Sequence, residues 1–193
     1  TVGQLEQFGS QLLEAMMYLE TQGVFHRDIK PSNLGIIRDP GTRRPSLVLF
    51  DLSLASESVD NIASGTPSYL DPYLGRGRRQ KYDRAAELWA VSITLFEMAT
   101  TQLPWWGEGA GRPADQSDAP IIEPTSFEPA VATQLTAFFQ RALHPQATAR
   151  FSSADQLAVA WQGIFADLDT QEDGAGGSDE LADSASLDTP LGR

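Results

Sequence analysis

The 193-residue chain contains no cysteine. That absence excludes disulfides, thiolate nucleophiles, cysteine-ligated zinc and iron–sulfur clusters together. Histidine is nearly as scarce, with only His26 and His144, so a histidine-rich metal site is excluded too. Any metal must be a hard cation held by oxygens. Basic residues number 14 against 26 acidic ones, for a net charge of −12, the opposite of a general nucleic-acid footprint. No apolar run approaches the roughly 18 residues of a membrane span. The opening Thr-Val-Gly-Gln-Leu-Glu lacks a secretory signal pattern, and a cysteine-free chain suits the reducing cytoplasm. Much of the negative charge is local. From Ala166 to Arg193 eight acids face one base, leaving −5 on residues 1–165.

Hydrophobic periodicity supplies the elements. Leu5, Phe8, Leu12, Met16 and Leu19 mark one face of an amphipathic helix, which Gly23 ends by tolerating a left-handed backbone. Two short apolar runs, Leu34–Ile37 and Leu47–Phe50, flank a turn-rich stretch and predict a hairpin. Asp51 to Tyr73 is rich in Ser, Gly and Pro and reads as an ordered or switchable loop. A basic cluster, Arg76, Arg78, Arg79, Lys81 and Arg84, reads as a solvated surface. From Arg84 to Thr100 a helix is apolar nearly all round and should be deeply buried. Two further helices are expected over about Glu128–Ala142 and Ala154–Phe165, with 107–126 irregular. Residues 166–193 lack periodicity and read as an acidic disordered tail or linker.

The hairpin concentrates chemistry. Antiparallel pairing of 34–37 with 47–50 makes Asn33 and Asp51 neighbours, and Asp28 and Lys30 sit just upstream. Three oxygen ligands or bases and one cation then share a rim. A carboxylate and an amide can hold Mg2+, a lysine can neutralise phosphate, and a second carboxylate can orient a hydroxyl.

His26-Arg27-Asp28-Ile29-Lys30-Pro31-Ser32-Asn33, Asp51-Leu52-Ser53, Gly65-Thr66-Pro67-Ser68-Tyr69-Leu70, the segment Tyr82–Met98 and Arg150 together resemble the C-terminal lobe of a eukaryotic-type Ser/Thr protein kinase. The resemblance implies phosphoryl transfer from ATP with Mg2+ to a protein substrate. It implies that Asp28 orients the acceptor hydroxyl, that Lys30 contacts the γ-phosphate, and that Asn33 and Asp51 bind the metal. Lys30 and the loop residue Thr66 point to serine or threonine acceptors. Arg27 implies control by an activation-loop phosphate, with Ser56, Ser58 and Ser64 as candidates and Thr66 structural. More narrowly, Gly65–Pro72, Leu103-Pro104-Trp105-Trp106-Gly107 and Leu135–Phe139 are similar to actinobacterial kinases of phage-growth-limitation (BREX-type) defence systems, which are large multidomain proteins.

Four positions depart from the family pattern. Ser53 replaces a glycine, Gly35 a bulky residue that packs under adenine, Glu87 an aspartate, and Tyr73 a glutamate that pairs with the arginine matched by Arg150. Asp71 is expected to supply that lost partner, testable by exchanging the two charges. The Gly-x-Gly-x-x-Gly loop, the strand lysine and the helix glutamate of the N-terminal lobe do not occur in the sequence. The expected fold is mainly α with a small β-hairpin (α+β): a kinase C-terminal lobe over 1–165 with the N-terminal lobe absent, followed by the tail 166–193. This polypeptide is expected to be inactive alone and to belong to a larger chain, with no nucleic-acid or membrane partner. Alternatives are a pseudokinase scaffold lobe and a small-molecule phosphotransferase.

Overall fold

The computed structural model describes residues 1–38, 40–41, 43–108 and 113–175, without the side chains of 114 and 167–175. Four helices and one hairpin are defined: α1 (Val2–Thr21), β1 (Leu34–Arg38), β2 (Pro45–Leu49), α2 (Arg84–Thr100), α3 (Ala132–Ala142) and α4 (Ala154–Ala175). Thr1 and Gln4 form a capping box at the start of α1. Beyond its C-cap Gln22, Gly23 turns left-handed at φ 65°, as expected of a helix-ending glycine.

Two helix boundaries differ from those read in the sequence. Residues 128–131 form a turn closed by Val131 N–H to Glu128 O, and α3 begins only at Ala132. Pro129 suits a turn there. At the other end, α4 continues past Phe165 to Ala175, since no proline or glycine interrupts 166–173. Residues 176–193, most of the expected tail, lie outside the described residues.

The core is built around α2, whose residues Ala86 to Phe96 are all buried. Leu12, Leu13 and Met16 of α1, Leu135 and Phe139 of α3, and Leu157 and Trp161 of α4 join it in one buried cluster. Aromatic edges join the layers: Phe96 meets Phe139 at 5.2 Å and Phe138 meets Trp161 at 5.4 Å. Each such pair adds about 0.5–1.5 kcal/mol beyond its burial.

Gly9 lets α1 and α4 approach closely. A methyl group there would collide with the Trp161 indole, which is fully buried and donates to Glu6 O at 3.3 Å. Gly9→Ala is therefore expected to cost about 1–3 kcal/mol, as overpacked cores do. Chemical denaturation checks it; unchanged or higher stability, as in an exposed helical Gly→Ala change, would contradict the packing described.

The hairpin is antiparallel, with Leu34 opposite Leu49 and Ile36 opposite Leu47. It docks on α1 through side chains that satisfy the backbone of β2: Leu47 N–H donates to Gln11 Oε1 (2.7 Å), and Gln7 Nε2 donates to Pro45 O (2.9 Å). The strand edge is thereby closed. One step beyond the ladder, Phe50 N–H donates to Asn33 O at 3.1 Å. That bond brings Asn33 alongside Asp51, as the expected pairing requires.

Candidate active site

The loop between α1 and β1 is held from below by a buried carboxylate. Glu87, in the first turn of α2, accepts from His26 N–H (2.5 Å), Arg27 N–H (3.1 Å) and Tyr82 O–H (2.6 Å). Burial pushes its carboxyl up, while these donors pull the other way. The longer Glu87 thus does what an aspartate would do from closer by. Its grip spans Arg27, whose backbone is left-handed at φ 71°, a conformation costly for arginine unless its surroundings impose it. His26 is fully buried and bonds Phe50 O through Nε2 at 3.0 Å. It packs and hydrogen-bonds internally, with no access to a reaction.

Asp28 sits at the centre of the polar rim. Its Oδ1 accepts from Thr66 Oγ1 (2.6 Å) and Thr66 N–H (3.1 Å). Its Oδ2 pairs with Lys30 Nζ (2.7 Å) and accepts from Asn33 Nδ2 (3.1 Å). Lys30 Nζ also donates to Thr66 Oγ1 at 2.6 Å. Burial raises the Asp28 carboxyl, but the Lys30 and Thr66 bonds outweigh it, aided by Asn33, and hold it below its ordinary value. Asp28 is therefore an anion, oriented by donors on both oxygens.

The Asn33 amide nitrogen also donates to Asp28 O at 2.8 Å. With Nδ2 so engaged, its Oδ1 is the atom left for a cation. Asp51 is exposed and left-handed at φ 67°; Ser53 donates to it at 3.3 Å and keeps its carboxyl low. One amide oxygen and one carboxylate on a solvent-facing rim suit Mg2+, which takes few protein oxygens and keeps water and phosphate ligands.

The following loop is tied to the same centre. Thr66 reaches Asp28 and Lys30 as described. Arg27 extends beneath the preceding stretch and donates to Glu57 O (2.8 Å), Ser58 O (2.8 Å) and Asn61 O (2.6 Å), with Tyr82 under its guanidinium at 4.4 Å. Arg27 thus reaches the loop through carbonyls. The Ser58 hydroxyl instead lies 3.3 Å from Asp60, which Lys81 holds. Ser56 is exposed and Ser64 half-buried.

The expected substitute for the missing glutamate is present. Asp71, fully buried, takes Arg150 Nη1 at 2.7 Å and Nη2 at 3.2 Å. Tyr73, where the glutamate would stand, packs edge-on against Trp89 at 5.5 Å. A third partner was missed in the sequence: Arg79, read as part of a solvated basic surface, donates to Asp71 Oδ2 at 2.7 Å and grips Asp83. Both Arg79 and Asp83 precede the first residue of α2, so no helical spacing marks their pairing in the sequence.

Residues 1–162 match the family model described as protein kinase domain. The chain belongs to the protein kinase domain family. It is 42% identical over 170 residues to the "Probable kinase PglW" of Streptomyces coelicolor, covering 86% of this chain and 11% of that protein. It is 30% identical over 168 residues to the Myxococcus xanthus "Serine/threonine-protein kinase Pkn1", covering 82% and 24%. A Streptomyces coelicolor "Probable serine/threonine-protein kinase SCO3848" is 29% identical over 174 residues, covering 85% and 24%. The chain thus spans a quarter or less of the length of each of these relatives. The first relative fits the narrower resemblance to phage-growth-limitation kinases.

Within this kinase domain the structure joins Asp28, Lys30, Asn33 and Thr66 through direct bonds and sets Asp51 beside them through the hairpin. Among the described residues no helix is long and apolar enough to cross a membrane.

Proposed function

We propose that this chain is the C-terminal lobe of a cytoplasmic Ser/Thr protein kinase that transfers phosphate from Mg2+-ATP to protein hydroxyls. The observation that carries the reading is the Asp28 carboxylate, bracketed by Lys30 and Thr66 and bonded to Asn33. ATP and Mg2+, when bound, supply the phosphoryl group and charge neutralisation. Asn33 Oδ1 and Asp51 would hold the cation, and Lys30 would meet phosphate oxygens. Asp28 Oδ1 would accept the proton of an incoming hydroxyl, which takes the place now held by Thr66 Oγ1. Catalysis of this kind is mainly positioning and electrostatic stabilisation. A Gly-rich loop and its lysine, absent from this sequence, would come from further chain, so the polypeptide alone is inactive. Arg27 orders the activation loop. A phosphate on Ser56, Ser58 or Ser64 would exchange carbonyl ligands for a stronger, charge-assisted one.

The acceptor class is tested with labelled ATP, the full encoded protein, and either peptides or aminoglycosides as acceptors. Label on serine or threonine is expected. Label on aminoglycosides alone would assign a small-molecule phosphotransferase instead, and nucleotide binding without any transfer would assign a scaffold.

The depressed Asp28 carboxyl adds a pH signature. A lowered aspartate stays ionised until pH falls through its folded value, so Asp28 imposes no acid limb above about pH 5. Thr66→Val, which removes one donor, should move its limb upward. A wild-type limb near pH 6 that Thr66→Val shifts would belong to Asp28 and contradict this assignment.

A further inference from the structure

Beyond α2, two chain segments meet in an isolated bridge whose two faces differ. Trp105 and Ile121 pair antiparallel, with Ile121 N–H donating to Trp105 O at 2.8 Å. Side chains alternate along extended chain. Pro104 and Ile122 are buried, and half-buried Trp106 donates from Nε1 to Asp118 O at 2.9 Å. Leu103, Trp105 and Ile121 take the other side and are 40%, 49% and 39% exposed. Large apolar side chains gathered on one outward face mark an interaction site, where singly scattered ones would not. Tryptophan is also a frequent anchor of protein interfaces.

This face is tied to the loop that carries Thr66. Tyr69 O–H donates to Glu97 Oε2 in the last turn of α2, and Tyr73 O–H donates to Asp118 O, the carbonyl that also takes Trp106. Tyr73 stands where the family pattern has a glutamate, and an ionised carboxylate could not donate to that carbonyl.

The surroundings are acidic. Residues 101–128 hold five carboxylates, Glu108, Asp115, Asp118, Glu123 and Glu128, against one base, Arg112. All five acidic residues are exposed. An apolar centre with a negative rim complements a segment that sets apolar side chains among arginines or lysines. We propose that Leu103, Trp105 and Ile121 form a docking surface for such a basic, apolar segment of the acceptor protein. The proposal rests on the phosphoryl-transfer reading and adds to it a contact, away from the reacting groups, that selects the acceptor.

The test uses the full encoded protein, labelled ATP and three peptides built on one acceptor serine sequence. One is unextended. The second is extended, at either end, by a segment alternating arginine with leucine and phenylalanine. The third carries the same extension with glutamate for arginine. Wild type should show a KM for the basic extension about tenfold or more below the other two. Trp105→Ala combined with Ile121→Ala should remove that advantage, a loss on the scale of an interface anchor, with kcat and the KM of the unextended peptide as in wild type. Trp105→Phe should keep most of it. Glu108→Lys combined with Glu123→Lys should pass it to the acidic extension.

Equal KM values for all three peptides in wild type would overturn the proposal. So would a rise in the double alanine variant that is the same for extended and unextended peptides, which assigns the pair to packing within the protein. Self-association of wild type that this variant abolishes, with peptide KM values unchanged, would assign the face to a second copy instead. All three results leave phosphoryl transfer standing. Transfer to none of the peptides, with Mg2+-ATP bound, overturns the phosphoryl-transfer reading and the acceptor role of the surface with it.

Discussion

Asp28→Asn in the full encoded protein is expected to slow phosphoryl transfer roughly 10²–10⁴-fold, the usual contribution of a positioned acid–base group. The reason lies in the donors around the carboxylate. Thr66 presents an N–H and an O–H to Oδ1, and Lys30 and Asn33 present charged and amide donors to Oδ2. An asparagine must place its NH2 against one of these sets. Lys30 also loses its anionic partner, and the acceptor hydroxyl loses its proton acceptor. Asn33 and Asp51 are unaltered, so Mg2+-nucleotide affinity should change far less than rate. Comparing single-turnover rates with nucleotide binding separates the two effects. Equal losses in both would make Asp28 a scaffold for the loop instead of a participant in transfer.

Asp71→Ala is expected to destabilise the folded chain by about 3–5 kcal/mol, the cost of removing one member of a buried ion pair. Arg150 has 1% side-chain exposure and would keep its bonds to His144 O, Ala85 O and Pro145 O while losing its counter-charge. Arg79 would lose the same carboxylate. Asp71→Asn should cost less, because it keeps the shape and an acceptor oxygen. The Arg150 guanidinium lies 4.7 Å from the Trp89 ring, so tryptophan fluorescence during urea denaturation reports on this region. A loss below about 1 kcal/mol, typical of exposed pairs, would show that the cluster does not contribute as a buried one. Arg79, which shares the Asp71 carboxylate, confounds an exchange of the charges of 71 and 150. Arginine at 71 would face Arg79, so failure to recover stability would follow even if the pair is essential.

Much of this was legible in the sequence because it depends on local pattern. Leu12 and Met16 announce the buried face of α1, and the run from Leu88 to Phe96, apolar except for Ser92 and Thr94, announces a central helix. The Asn33–Asp51 juxtaposition followed from strand pairing alone. The role of Asp71 as partner of Arg150, in place of the family's glutamate, was also readable, given the resemblance, because Asp71 lies two residues before Tyr73. What escaped notice depends on three-dimensional proximity without a sequence period. Arg79 looked like one more surface base until the chain folded its guanidinium between Asp71 and Asp83. Arg27 suggested a phosphate partner, whereas the loop presents three carbonyls to it. The start of α3 and the extension of α4 were missed because helix ends respond to turn chemistry and breakers more than to hydrophobic period.

The most direct measurement is incorporation of labelled phosphate from ATP into protein serine and threonine by the full encoded protein, titrated with Mg2+, for wild type and Asp51→Asn. Wild type should show Mg2+-dependent incorporation, and Asp51→Asn should need far more Mg2+ and transfer at a small fraction of the rate. Incorporation by Asp51→Asn at the wild-type rate and Mg2+ requirement, or nucleotide binding by wild type with no transfer at any Mg2+ concentration, would contradict a phosphoryl-transfer site built from Asp28, Lys30, Asn33 and Asp51.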